Sequence, residues 1–401
     1  MTEKPDGLDF EFAYRSDLYE AATIEAFAAR LIRFLDHVTA DPGLPIGDVG
    51  LLTATERRGL VPASGADGSV AGLWQVLAAG AAEHPDRVAV AAGDRTVTYR
   101  QLVVRAESLA RELVARGAGP GVRVACAVPR SLDSVTAVWA IARTGAAPVM
   151  IDPEHPAARI QLMLEACGAR TGVTTAEAVV SLPSRVEWVD VAASGTGVLG
   201  EPEIHPDDAA YVVFTSGTTG HPKAVVLTAR GLGAFGDDLA EIFAADADSR
   251  VLHVAGPGFD MALLEMLLAG MSGAPTRGGS RIGLRRAGTH RVDCRRTRHP
   301  RLPHAVRRVE RVAAGSFPNL ATLMLGGERV TDDVSARWGE GRRLFIGYGP
   351  AEATAFATWA GPLAPSDRPL IGRPARASMP SCSIDACSLC RRGDRRAVPG
   401  G

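Results

Sequence analysis

The feature that most limits the fold is an alternation of helical and strand-like patterns between about Leu73 and Asp260. Leu102 to Arg116 carries apolar residues at helical spacing, and Val122 to Val128 reads as a strand. Ser134 to Thr144 is helical again, and Pro148-Val-Met-Ile-Asp152 is a short buried strand. A strand–helix–strand rhythm buries its apolar faces when helices cover a mostly parallel sheet, so the expected class is α/β. With 401 residues, 46% of them hydrophobic, the chain is long enough to bury a substantial core.

Charge and hydropathy narrow the function classes. A formal net charge of −1 argues against a protein held as a whole to nucleic acid or to an anionic membrane. The most apolar segment, Val135 to Ile151, is interrupted by Arg143 and is shorter than the ~20 residues of a membrane span. The start, Met1-Thr-Glu-Lys-Pro-Asp-Gly7, lacks the apolar stretch of a secretory signal, so a cytoplasmic location is expected. Cys126, Cys167, Cys294, Cys382, Cys387 and Cys390 follow no regular spacing, and no disulfide framework is expected at this length.

Residues 8–60 stand apart from the rhythm. Leu8-Asp-Phe-Glu-Phe-Ala-Tyr14 alternates like a strand, and Ile24, Phe27, Leu31, Phe34, Leu35 and Val38 then mark one face of a helix. Thr23 is the candidate cap, and Asp41-Pro42-Gly43 the terminator. One helix and one strand cannot form a core alone, so this stretch is an appendage or the remnant of a larger domain. Pro62 to Ser69 reads as a linker.

The strongest chemical signal is Tyr211-Val-Val-Phe-Thr-Ser-Gly-Thr-Thr-Gly-His-Pro-Lys-Ala224, an apolar strand entering a loop of glycines, hydroxyls and a lysine. Glycines let backbone N–H groups approach phosphate oxygens, hydroxyls add donors and the ammonium adds charge, a combination suited to a polyphosphate. It is not a Walker A loop, whose lysine directly follows the second glycine; here His221 and Pro222 intervene. A plain polar turn would explain the glycines and hydroxyls. The lysine argues against that, because of 44 basic residues only Lys4 and Lys223 are lysines.

With those residues in place, the chain resembles the adenylate-forming enzymes, specifically the adenylation domains of non-ribosomal peptide synthetases. Thr215 to Lys223 matches that family's phosphate loop, and other motifs follow in family order. These are Val97-Thr-Tyr-Arg-Gln-Leu102, Thr144 to Pro153 with His155-Pro156 and Arg159-Ile160, Phe259-Asp260, Gly326-Gly-Glu328, Tyr348-Gly-Pro-Ala-Glu352 and Ile371-Gly-Arg-Pro374. The resemblance implies the large N-terminal subdomain of an adenylate-forming enzyme over 73–376, a linker at 61–72, and a condensation-domain C-terminal end over 1–60 without that domain's active-site motif. It further implies that the chain stops before the small C-terminal subdomain, so the family's ribose-binding aspartate and catalytic lysine have no counterpart here.

The implied chemistry is attack of an amino-acid carboxylate on the α-phosphate of ATP, giving an aminoacyl adenylate and pyrophosphate. By resemblance, Thr215, Ser216, Gly217, Thr218, Thr219, Gly220 and Lys223 cradle the phosphates. Tyr348 stacks on adenine beside Gly326 and Gly327, and Glu352 holds Mg²⁺. Asp260 pairs with the substrate's ammonium, and Met261, Leu264, Met324, Gly347 and Ala355 line the side-chain pocket. The implied partners are a phosphopantetheine carrier domain and a condensation domain, with no nucleic acid and no membrane. Outside their motifs these residues have structural readings: Tyr348 as packing, Glu352 as a solvated surface acid, Asp260 as a helix cap.

Departures from the family pattern are Ala224 for glycine, Ala262 for serine and Ala351 for threonine, the last removing a hydroxyl worth about 0.5–1.5 kcal/mol as a neutral donor. From Ser272 to Gly315 the pattern is lost. Twelve arginines lie between Arg277 and Arg311 against Asp293 and Glu310, with apolar residues too sparse for a strand or an amphipathic helix. A second break runs from Ala377 to Gly401. The two suggest frameshifts and an impaired enzyme. The competing readings are a non-catalytic interaction fragment, a stand-alone acyl-CoA ligase, a nucleic-acid patch on the arginines, and a zinc site at Cys382, Cys387 and Cys390. If frameshifts occurred, reading codons 272–315 and 377 onward in the other two frames restores family motifs; unrelated sequence in both frames refutes that explanation.

Overall fold

The computed structural model describes residues 2–5, 7–46, 49–53, 55–56, 71–93, 95–216, 221–278, 300–305 and 314–376. They belong to two compact units, each described by itself. In the N-terminal unit, Thr2–Lys4 pairs antiparallel with Gly7–Asp9, so the alternation expected to run to Tyr14 makes a strand only through Asp9. The helix spans Ala21–Ala40. Its N-cap is Glu20, and Thr23, expected as the cap, lies inside the first turn. Asp41 ends it as expected, its N–H donating to the His37 carbonyl and its carboxylate accepting the Gly43 N–H at 3.0 Å. No residue of this helix is buried, although the ring of Phe27 meets Phe12 edge-on at 6.0 Å.

The larger unit is α/β, as the alternation requires, and is built on two sheets. The six-stranded sheet runs Pro222–Thr228, Ala209–Ser216, Ala147–Met150, Arg123–Cys126, Thr171–Thr174, Glu187–Asp190; the first pair is an antiparallel hairpin and the rest are parallel. The nine-stranded sheet runs Arg373–Pro374, Thr358–Leu363, Arg343–Tyr348, Thr322–Gly326, Pro300–Ala305, Arg250–His253, Thr276–Gly278, Val88–Ala92, Arg95–Thr98. Its middle is parallel and its edges antiparallel.

Two of these strands correct the reading of 272–315. Thr276–Gly278 and Pro300–Ala305 are both strands, the second between Arg250–His253 and Thr322–Gly326. A strand with a neighbour on each side takes its backbone hydrogen bonds from them, and an arginine-rich sequence with no alternating pattern is then no obstacle. The remaining anomalous stretches, 279–299 and 306–313, and the tail from Ala377 with Cys382, Cys387 and Cys390, lie outside the described residues.

The early family-like motif Val97 to Leu102 has a structural job. Thr98 and Gln101 form a reciprocal capping box at the start of helix Tyr99–Ala115, and the buried Tyr99 hydroxyl lies 2.7 Å from the carbonyls of Ala269 and Ala274. The latter flank the end of helix Asp260–Ser272, so the motif ties one helix start to another helix's exit. One core cluster joins residues of both sheets, among them Val90, Val124, Met150 and Tyr211, with Leu109, Trp139 and Leu267 from the helices.

The helix Leu73–Glu83 approaches Asp260–Ser272 at backbone contact. A Cβ on Gly80 would stand 2.3 Å from the Gly273 nitrogen and 2.4 Å from the Gly270 oxygen, and one on Gly270 would stand 2.3 Å from the Leu77 oxygen. Backbone cannot swing aside as a side chain can. Gly80→Ala and Gly270→Ala are therefore each expected to lower stability by at least about 1–3 kcal/mol in urea unfolding. Gly119→Ala, whose Cβ would meet nothing within 4 Å, is the control, with a change within about 0.5 kcal/mol.

Candidate active site

The flanks of the candidate phosphate loop belong to the two strands of the antiparallel hairpin at the edge of the six-stranded sheet. Thr215 is directly opposite Lys223 and Ser216 opposite Pro222, so the two flanks of the loop are held in register. Pro222 opens an edge strand, where its missing N–H costs no ladder bond. Lys223 is exposed and, among the described residues, has no carboxylate partner; Lys4, the other lysine, is paired with Asp9. Gly217, Thr218, Thr219 and Gly220 lie outside the described residues.

A second group of candidate residues closes the parallel strands Thr322–Gly326 and Arg343–Tyr348. Their last glycines, Gly326 and Gly347, are register partners, and a Cβ on Gly326 would stand 2.7 Å from the Gly347 oxygen. That approach requires glycine. Met324 is buried beneath them, and a Cβ on Gly347 would meet its sulfur at 3.2 Å. Tyr348 ends the strand 57% exposed, so its ring is a surface platform and not packing. Gly327 follows Gly326 with φ of 78°.

From Tyr348 the chain enters a short 3-10 turn, Ala351–Ala353, closed by the Ala357 N–H donating to the Tyr348 carbonyl at 2.8 Å. Thr354 and Ala355 have φ of 56° and 72°, a left-handed conformation costing about 1–3 kcal/mol at such positions. Phe356 repays part of this by burial against Phe235 at 5.1 Å. The turn packs on both strands of the hairpin, which brings Glu352 and Ala355 to the same region as Thr215 and Lys223. Glu352 is exposed and, among the described residues, unpaired.

The third group begins helix Asp260–Ser272. Phe259, not Asp260, is the N-cap; the Asp260 carboxylate instead accepts the Met261 N–H at 2.7 Å. Burial pushes this carboxyl above the ordinary aspartate range, against the opposing effect of its backbone hydrogen bonds. The phenol of Tyr211, on the hairpin strand Ala209–Ser216, is raised too, by burial first and by the Asp260 charge second. Leu264 is buried and Met261 partly buried against the core.

Sequence reasoning passed over Glu265, His253 and Arg130. Glu265 is fully buried, with Oε2 2.7 Å from His253 Nδ1 and its oxygens accepting the N–H groups of Val254 and Ala255. Burial raises its carboxyl, opposed chiefly by His253. The available signal was a lone charge in the apolar run Met261 to Met271.

The α/β unit thus brings a hydroxyl- and lysine-flanked hairpin near an exposed tyrosine on a glycine-floored strand end, and carries a half-buried carboxylate at the start of helix Asp260–Ser272. The chain belongs to the AMP-binding enzyme family, whose family model matches residues 77–383. It is similar to CymA of Salinispora arenicola, described as a probable non-canonical nonribosomal peptide synthetase, with 35% identity over 385 residues, 92% of this chain and 5% of that protein. The chain thus spans only a small part of that relative. Its fold is that of the nonribosomal peptide synthetase FmoA3 in an AMPPNP-bound form, with a TM-score of 0.74 at 21% identity, over 89% of this chain and 41% of that one. It also matches the N-terminal subdomain of NpsA from Klebsiella oxytoca, with a TM-score of 0.63 at 21% identity, over 76% and 80% of the two chains. Among the described residues no helix is long and apolar enough to cross a membrane.

Because the folded-state pKa of Asp260 is raised, the group's contribution to stability is complete below its unfolded value and is lost as pH rises through the folded one. Asp260→Asn is therefore expected to raise Tm near pH 8 and to change it little in acid. A variant no more stable than the parent near pH 8 contradicts an unpaired buried carboxylate.

Proposed function

We propose that this chain carries the ATP- and amino-acid-binding part of an adenylation domain in non-ribosomal peptide synthesis. The observation that carries this reading is the packing of the turn Ala351–Ala353, which holds Glu352 and follows Tyr348, against the hairpin holding Thr215 and Lys223. Three chemistries are needed together, for a base, a polyphosphate and an ammonium group, and Tyr348, the hairpin and Asp260 supply one each.

In this reading the face of Tyr348 takes the adenine, with the Gly326 and Gly327 backbone beside it. Lys223 and the hydroxyls from Thr215 to Thr219 hold the phosphates. Asp260, already costly to ionise where it is buried, is repaid by the substrate ammonium and so selects α-amino acids over plain acids. The uncharged lining from Met261, Leu264, Met324 and Ala355 suits an uncharged side chain. The substrate carboxylate then attacks the α-phosphorus, a P–O bond forms, and the bond to pyrophosphate breaks. The residues named here act by positioning and charge neutralisation.

Glu352 fits a magnesium ion. It is an exposed, unpaired hard oxygen donor, and the described residues contain no group of three or more His, Cys, Asp or Glu side chains that could hold a metal without the nucleotide. Magnesium usually keeps waters and binds through one or two carboxylates plus substrate phosphates, and when bound it neutralises phosphate charge. The domain bounds given above, the condensation-domain origin of residues 1–60, and a phosphopantetheine carrier as acceptor of the aminoacyl group are parts of the same proposal. The exposed Phe27 and Ile32 on the N-terminal helix support an origin in a larger domain.

Amino-acid-dependent exchange of labelled pyrophosphate into ATP tests the reading. Exchange with an α-amino acid supports it; exchange only with carboxylic acids lacking an amine favours an acyl-CoA-ligase-like enzyme, and none at all favours a non-catalytic fragment. Tyr348→Ala is expected to weaken ATP binding about tenfold, the low end of the loss of one aromatic stack, by titration calorimetry. Glu352→Gln should remove most of the difference between ATP affinity in magnesium and in EDTA, with metal-free affinity unchanged.

A further inference from the structure

Glu265 lies five residues after Asp260 in the same helix, and its carboxylate reaches back to the segment that leads into that helix. Oε2 accepts the Val254 N–H at 3.0 Å and lies 2.7 Å from His253 Nδ1, and Oε1 accepts the Ala255 N–H at 3.1 Å. From another helix's approach, Arg130 Nη1 donates to the carbonyls of the same two residues, at 2.6 Å to Val254 and 3.2 Å to Ala255. Both polar backbone groups of Val254 and Ala255 are therefore held by side chains.

Beyond this clamp the chain is tied once more before Asp260, where the Phe259 N–H donates to the Gly256 carbonyl at 3.1 Å. Residues 254–265 thus form a closed ring, with the carboxylate of Glu265 joining its end to its beginning. An apolar residue at 265 would pack as well in this helix but would strand two buried N–H donors, and an amide could accept both only through one oxygen. A carboxylate offers an oxygen to each.

We propose that Glu265, with Arg130 on the carbonyl side, is a positioning residue for Asp260: holding Val254 and Ala255 fixes the path to Phe259 and so the place where the Asp260 carboxylate meets the substrate ammonium. The inference rests on the reading of Asp260 as the ammonium anchor, and its test has a part independent of that reading.

In the full 401-residue chain, Asp260→Asn, Glu265→Gln and the double variant form a thermal-unfolding cycle near pH 8. With the clamp intact, Asp260→Asn raises Tm. In the Glu265→Gln background the same change gives less than half that gain, because a loosened segment lets the Asp260 carboxylate rehydrate. Equal gains in both backgrounds overturn the inference. Where Glu265→Gln fails to fold, Arg130→Lys, acting on the carbonyls of the same two residues, carries the same cycle.

Pyrophosphate exchange across the twenty coded amino acids gives the second readout. Glu265→Gln should raise the KM of the most active amino acid about tenfold and leave the KM of ATP within about twofold. Parallel loss for both substrates marks a general stability role and overturns the proposal. If Asp260→Asn leaves the amino-acid KM unchanged, the ammonium reading fails, and the unfolding cycle still decides whether Glu265 positions Asp260.

Discussion

The backbone contact between helices Leu73–Glu83 and Asp260–Ser272 is the constraint on which the rest of the larger unit depends. Gly80, Gly270 and Gly273 let the two helices meet without side chains between them, and Tyr99 seals the junction by bonding at Ala269 and Ala274. The second helix is thereby fixed in position and in rotation. Because Asp260 opens that helix and Glu265 sits in its middle, fixing it also aims the one and buries the other.

Two unfavourable features are retained at the site, and both sit where a ligand is proposed to bind. Asp260 is a largely buried carboxylate whose ionisation burial opposes, and Thr354 and Ala355 are consecutive non-glycine residues at positive φ. Neither stabilises the fold by itself. The surrounding structure over-determines them: the clamp on Val254 and Ala255 in one case, the turn closure from Ala357 to Tyr348 and the burial of Phe356 in the other. A site held in a strained or desolvated state before its ligand arrives loses less order when the ligand binds.

The sheets also show how little local pattern an interior strand needs. Pro300–Ala305 has two prolines, an arginine and a histidine, and on its own sequence is a poor strand; between two parallel partners it pairs with both. The strand Ala209–Ser216 is the opposite case, since its apolar run is legible locally, although its antiparallel pairing with Pro222–Thr228 is seen only in the structure.

The sequence by itself determined the α/β class, through a helix–strand rhythm that only layered packing can satisfy, and it singled out Thr215 to Lys223 as the candidate phosphate loop, through residue types whose chemistry is local. Helix limits followed within a few residues, as at Asp41, whereas the start of the N-terminal helix and the Thr98 capping box were not read from the sequence. Tertiary structure alone decided the rest. It set Gly326 against Gly347 and the Glu352 turn against the hairpin, made strands of an arginine-rich stretch, and joined Glu265 to His253, Val254 and Ala255. These are contacts between separate elements or across a turn, and their energy lies in burial and in backbone groups that must find partners, neither of which a one-dimensional pattern records.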